Sequence, residues 1–414
     1  MRVLIVNTSE RTGGAAVAAS RLLEALNNNG VKAKMLVRDK QTGNLSVVQH
    51  PQQRRLRLTF LWERLVIWLR LHLRRKHLFE IDIANCGADI TQLPEFQEAD
   101  VIHLHWVNQG MLSLKQIRKI LDSGKRVVWT MHDIWPATAI CHLTLNCHQF
   151  ESACGRSEEN ICPHTTLARK VWHKKQQMLE GRQITFVACS EWLANEARKS
   201  ALLKGQFIIS IPNPIDTHVF RPGDQQKARK TFGLPNEGKM ILFVSQRATN
   251  PYKGMRYLID ACKKSNLGNA FVAILGGHAE ELVEQLPLKS FALGYVNDEQ
   301  RIVQAYQAAD VFVLPSLSEN LPNTIMEAMA CGVPCLGFNV GGIPEEIEHQ
   351  KTGYVAAYRD AADLACGLHW ILEEAERDTL SKACLHHVAT YYSQQSVAKR
   401  YIEVYENQHC HHNI

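Results

Sequence analysis

The stretch SLSENLPNTIMEAMACGVPCLGF, Ser316 to Phe338, limits most sharply what this chain can fold into. Before it, DVFVLPS (Asp310 to Ser316) is an apolar run of strand length, and VPCLGF after it reads as a second strand. Between them Pro322 to Cys331 has helical composition, with Pro322 suited to the first helical position and Gly332 to the stop. Strand, loop, helix and strand in this order predict an α/β fold with a parallel sheet. In such a sheet the loop after a strand's carboxyl end is where ligands are met.

Two glutamates mark that loop and helix, Glu319 before the helix and Glu327 inside it. A carboxylate accepts hydrogen bonds from pairs of hydroxyls, and the separation of these two suits two hydroxylated rings rather than one. The backbone N–H groups of Asn323 and Thr324 fall in the helix's first turn, where no intrahelical partner exists, so a phosphate would suit that end. Taken singly, Glu319 reads as a solvated loop residue and Glu327 as an ordinary helix residue. Together with the helix end they outline a sugar nucleotide.

The E-x7-E spacing is followed by Glu327-Ala328-Met329-Ala330-Cys331-Gly332-Val333-Pro334, an A-x-A-x-G-x-P run. This resembles the signature of retaining glycosyltransferases of family 4 (glycosyl transferases group 1), including bacterial polysaccharide-biosynthesis members. The resemblance implies the GT-B fold, an α/β architecture of two Rossmann-like domains facing across a cleft. It also implies that Glu319 contacts donor-sugar hydroxyls and that Glu327 holds the nucleotide's ribose. Many members carry Phe-Gly shortly after the first Glu. Here Leu321-Pro322 stands instead, and Pro322 has no N–H to give, which leaves Asn323 and Thr324 as donor contacts.

At 414 residues, 45% hydrophobic and 21% charged, the chain is long enough for two domains with separate cores. The opening MRVLIVNTSE passes straight into a strand pattern, with no secretory signal read in it and no apolar run of spanning length elsewhere. Twelve cysteines in that context suit a reducing compartment, and the expected location is cytoplasmic.

In chain order, Arg2 to Asn7 is a buried strand pattern and Ala15 to Leu26 is helical, with Thr12-Gly13-Gly14 between. Glycines at such a turn let backbone approach a ligand closely, although tight strand-to-helix turns of any function use them too. It is not G-x-G-x-x-G, so no dinucleotide site is read. In the resembling family a glycine-rich loop here packs near the donor phosphates, and Gly14 is the candidate. Arg54 to Glu80 then holds eight Arg and Lys against two Glu, a surplus equal to the net charge of the whole chain, +6. Mixed with Phe60, Trp62, Trp68 and many leucines, it suits either a helix on an anionic membrane surface or a packed helix whose basic residues are solvated. No recognised nucleic-acid motif accompanies the charge.

Ala99 to Trp106 and Lys125 to Asp133 read as parallel strands ending in polar residues, which makes His103, His105, His132 and Asp133 candidates. Thr130 to Asp133, Thr-x-His-Asp, resembles the family's arrangement, in which the histidine approaches the donor sugar. That implied role falls on His132, with Asp133 as an orienting neighbour. Cys141, Cys147, Cys154 and Cys162, with His142, His148 and His164 nearby, could hold a structural zinc. Their spacings lack the C-x-x-C turn of a zinc knuckle, so disulfides or plain thiols are the alternative. No metal is expected in catalysis.

Phe207 to Pro214, FIISIPNP, suits a hinge, because Pro212 and Pro214 force an extended path. The expected division is residues 1–213 as an acceptor-side domain and 214–394 as a nucleotide-sugar domain. Residues 395–414 would form a final helix returning to the first domain. Lys239 to Gln246 is the second domain's first strand, followed by Arg247 and Lys253-Gly254, a rigid fork and a mobile point charge that suit a diphosphate. Strands at Phe271 to Gly276 and Phe291 to Gly294, the Gly-Gly turn in Asn339 to Glu345, and helices at Ala361 to Glu376 and Gln395 to Asn407 complete the pattern.

The expected activity is transfer of a sugar from a nucleoside-diphosphate-sugar to a hydroxyl of a glycan or lipid-linked oligosaccharide, as in surface-polysaccharide biosynthesis. Glu319, His132, Arg247 and Lys253 are the catalytic candidates. Glu327, Gly14, Asn323 and Thr324 are the donor-binding candidates, and no cofactor is required. A GT-B sugar-nucleotide epimerase and a non-catalytic sugar-nucleotide sensor are the alternatives. The first would release an altered sugar nucleotide without an acceptor, and the second would turn nothing over.

Overall fold

The computed structural model describes residues 1–75, 77–144, 147–155 and 165–407. They form two compact units, one of Met1–Pro212 with the chain from Val397 onward, the other of Asn213–Ser396. Each is built on one parallel sheet, as the long apolar runs require, since strands covered on both faces need no polar alternation.

The first sheet contains β1 (Arg2–Ser9), β2 (Lys32–Asp39), β3 (Val47–Gln49), β4 (Val101–Leu104), β5 (Arg126–Met131), β6 (Thr185–Ala188) and β7 (Phe207–Ser210), in spatial order 3-2-1-4-5-6-7. Leu4 and Val6 of β1 enter one core, while Val3 and Ile5 enter another on the opposite face. The helix Gln394–Glu406 closes the second of these cores with Val397, Tyr401 and Tyr405. Its two tyrosines are tied to the strands: Tyr405 Oη lies 2.7 Å from His103 Nδ1, and Tyr401 Oη lies 3.0 Å from Thr130 Oγ1.

The second sheet contains β8 (Met240–Arg247), β9 (Phe271–Gly277), β10 (Ser290–Gly294), β11 (Val311–Leu314), β12 (Cys335–Phe338) and β13 (Gly353–Ala356), in order 10-9-8-11-12-13. Asp310 locks the start of its two central strands. Its Oδ2 accepts from Met240 N at 2.7 Å and from the buried Arg229 guanidinium at 2.6 Å. Strand order reverses between β1 and β4 in one unit and between β8 and β11 in the other. At such switch points neighbouring loops splay apart and leave a crevice at the strands' carboxyl ends.

Three local readings are corrected. The helix after Glu319 runs Asn323–Ala330 with Pro322 as its N-cap, because Pro322 takes an extended ψ of 111° and not a helical one. The Ala361 segment is α-helical only to His369, then winds as a π-helix over Trp370–Glu374, where Ala375 N bonds Trp370 O at 2.9 Å. The acidic Glu376, read as that helix's end, instead caps a further helix, Arg377–Tyr391, by accepting from Asp378 N and Thr379 N.

Candidate functional site

In the second unit the switch point gathers the loops that follow β8, β11 and β12. Two glycines decide how closely they approach. Gly254, next to Lys253, sits at φ 72°, and a Cβ there would lie 1.7 Å from Pro315 O. Gly341, in the Gly-Gly turn after β12, sits at φ 60°, and a Cβ there would lie 1.7 Å from Glu319 O. Only glycine accommodates both the left-handed backbone and these contacts. A bond from Leu317 N to Tyr252 O at 2.8 Å joins the first two loops.

Within this frame Lys253 Nζ meets Glu319 Oε1 at 2.5 Å, so a cation and a carboxylate far apart in sequence form one pair. Glu327 is buried and accepts a hydrogen bond from Tyr306 Oη at 2.9 Å. Asn323 and Thr324 occupy the first two helical positions. The Asn323 side chain is fixed by Asn213 Nδ2, 3.1 Å from its Oδ1. Arg247, at the end of β8, is exposed, with its Nε 3.1 Å from Thr249 Oγ1. A carboxylate, its lysine partner and the start of a helix thus stand together at the switch point, with Arg247 exposed at the end of β8.

Glu346 went unnoticed in the sequence. It is fully buried, and neither carboxyl oxygen has a partner among the described residues. Burial pushes its pKa well up, and nearby Glu319, Glu345 and Glu327 push it further, all in favour of the neutral acid. Tyr306 was also missed. Neither carried a signal, since Glu346 stands in the polar run IPEEIEHQ and Tyr306 in VQAYQAAD, where nothing sets them apart from exposed residues.

In the first unit Gly13 caps the helix Gly14–Asn28, placing Gly14 at its first turn after β1. His132 follows β5, its Nε2 2.9 Å from His105 Nδ1 and its Nδ1 3.4 Å from Cys189 Sγ. Burial holds the His132 pKa down at about 4 against the opposing pull of Asp133, so the ring is neutral near pH 7. His103 does not reach a strand mouth. It lies wholly buried within β4, with Nε2 2.7 Å from Thr130 Oγ1 and Nδ1 on Tyr405. It is a core residue.

Asp133 opens an ionic chain that runs from a partly buried position into the core. It accepts from Trp106 Nε1 at 3.0 Å and Trp135 N at 2.9 Å, and its Oδ2 is 2.7 Å from His142 Nδ1. His142 Nε2 is 2.7 Å from Asp82 Oδ2, and Asp82 in turn pairs with Arg64. Burial lowers the pKa of His142, but the two aspartates outweigh it and hold it at about 10. With both ring nitrogens so engaged, His142 is not placed to join a cysteine metal site. Cys162 and His164 lie outside the described residues. Among the described residues no group of three or more His, Cys, Asp or Glu is arranged to hold a metal ion.

The sequence was compared with known proteins. The profile "Glycosyltransferase Family 4" matches residues 12–219, and "Glycosyl transferases group 1" matches residues 224–383. A relative, D-inositol 3-phosphate glycosyltransferase 2 of Catenulispora acidiphila, is 30% identical over 41% of this chain, which spans 43% of that protein. Among solved structures, sucrose-phosphate synthase from Thermosynechococcus elongatus superposes over 98% of both chains with a TM-score of 0.67 at 21% identity. Anabaena HepE in complex with UDP-glucose covers 98% of this chain and 99% of its own, with a TM-score of 0.62 at 16% identity. These likenesses describe the fold.

Proposed function

The chain belongs to glycosyltransferase family 4, with the GT-B fold, and from that premise we propose that it transfers a sugar from a nucleotide-sugar donor. The donor is a nucleoside-diphosphate-sugar, and the acceptor is a hydroxyl of a glycan or lipid-linked oligosaccharide, met on the cytoplasmic side in surface-polysaccharide assembly. The observation that carries this reading is the Lys253–Glu319 pair beside the helix bearing Glu327. It sets a phosphate-seeking cation next to two hydroxyl-accepting carboxyls.

In the reaction the bond from the anomeric carbon to the diphosphate breaks, and its electron pair leaves on the diphosphate. The acceptor oxygen bonds to that carbon on the same face, and its proton passes to the departing phosphate. Arg247, Lys253 and the N-terminus of Asn323–Ala330 stabilise the charge that develops, so the protein supplies electrostatically what a divalent metal would otherwise supply. Glu319 and Glu327 orient the sugar and ribose hydroxyls. To bond the donor sugar, neutral His132 would exchange its His105 or Cys189 contact for a sugar hydroxyl without bringing a charge, and Gly14 lets backbone near the phosphates.

A calorimetric panel of UDP-, GDP- and ADP-sugars tests this, with Glu327→Gln alongside. One donor should bind, lose at least about tenfold in affinity in the variant, as a lost hydroxyl contact implies, and release nucleoside diphosphate slowly even with a chelator present. Equal binding by the variant, or no binding across the panel, would overturn it.

A further inference from the structure

The helix Gln53–Arg70 carries apolar residues on two opposite faces. Leu56 and Ile67 point inward and are fully buried, together with Glu63 and Arg64. Glu63 Oε1 accepts from Ala84 N at 2.7 Å and from Ile83 N at 3.1 Å, and Arg64 Nη1 donates to Leu78 O at 2.7 Å. That face is anchored.

Leu58, Leu61, Trp62, Leu65 and Leu69 are all exposed, Leu61 by 60% and Trp62 by 56%. At 3.6 residues per turn they fall within about 100° of arc, a single outward stripe. Apolar residues on both faces explain why the sequence alone showed no one-sided pattern. Exposed Arg54, Arg55, Arg57 and Arg70 lie at its ends and flanks. The helix's one acidic residue, Glu63, is turned inward, so its solvent face carries positive charge without any carboxylate. Glu80, beyond the helix, is paired with His77. Among the described residues no helix is long and apolar enough to cross a membrane.

We propose that this outward face is a docking surface for an anionic lipid bilayer. The leucines and Trp62 would enter the boundary between headgroups and acyl chains, while the arginines engage lipid phosphates. A second copy of the chain is a poor occupant, because a symmetric contact would set arginine against arginine. The proposal does not depend on the donor chemistry, and its test uses no sugar nucleotide.

Flotation of the full chain is measured with vesicles of equal parts phosphatidylcholine and phosphatidylglycerol, and with phosphatidylcholine alone. The chain should float with the first and not the second, and added salt should release it. Leu61→Gln/Leu65→Gln/Leu69→Gln should abolish flotation. Arg54→Gln/Arg55→Gln/Arg57→Gln should weaken it by about a hundredfold, at about fivefold per arginine. Glutamine keeps helix propensity at these exposed sites, and unchanged circular dichroism would confirm folding. Equal flotation with neutral vesicles, retention by either variant, or no flotation at all would overturn the proposal. So would a wild-type dimer that the leucine variant dissociates, which would make the stripe a self-interface.

Discussion

Lys253 Nζ lies 2.5 Å from Glu319 Oε1 across 66 residues of sequence, and both side chains are partly buried. The lysine is therefore prepositioned and partly neutralised. A donor diphosphate would draw it from a carboxylate that could then turn to the sugar.

Lys253→Ala should cut donor affinity at least about tenfold and lower turnover by about a hundredfold or more, as loss of a charge-stabilising donor does. Glu319→Gln alone should spare binding more than turnover. In a double-mutant cycle read by calorimetry and steady-state kinetics, the two should fail to add. Strict additivity would mean that the pair does not act as a unit.

Gly341→Ala places a methyl against Glu319 O on a left-handed backbone. The strain of about 1–2 kcal/mol for that conformation, with the clash added, should displace the Glu319 loop. Donor binding should weaken and the thermal midpoint should fall by about 2–4 °C per kcal/mol of that strain, which calorimetry and melting would resolve. A variant with wild-type affinity would show that this approach is dispensable.

His142 bridges the buried Asp82 and the partly buried Asp133, so His142→Asn should cost about 3–5 kcal/mol by leaving carboxylates uncompensated. Its folded pKa of about 10 exceeds the ordinary histidine value. The stabilisation is thus fully present below about pH 6.5 and is lost as pH rises through about 10. Denaturant titrations across that range should show the gap between wild type and variant closing at high pH.

Glu346 behaves in the same sense through a carboxyl group. Its folded pKa is raised, so its contribution is full below the ordinary glutamate value near 4.5 and declines as pH rises above it. Glu346→Leu removes an unpartnered buried acid and should stabilise the protein by about 1–3 kcal/mol near pH 7. Its advantage in melting experiments should shrink on acidification. An advantage independent of pH would place its origin in packing.

The parallel sheets were legible because strands such as MILFVSQ and DVFVLPS are apolar on both faces, and Gly332 marked a helix end by its side-chain-free backbone. The π-turn at Trp370 was not legible, since its altered hydrogen bonding leaves no trace in residue type. Glu319, Lys253 and Asn323 could be named from their positions beside strand ends. Their mutual distances could not, because those follow from Gly254 and Gly341, whose close contacts involve backbone carbonyls. The partners of His142 were hidden for a related reason: Asp82 and Asp133 lie 60 and 9 residues away.

The tyrosines of the last helix have a consequence for biogenesis. His103 and Thr130 bond to each other, but their further hydroxyl partners, Tyr405 and Tyr401, come some 300 and 270 residues downstream. The unit from Asn213 to Ser396 is one continuous segment and can finish folding as it leaves the ribosome. The first unit, though translated earlier, must wait for nearly the whole chain before its core is sealed. The order of synthesis and the order of completion are therefore reversed, and the window in which the early sheet needs protection spans the making of the entire second unit.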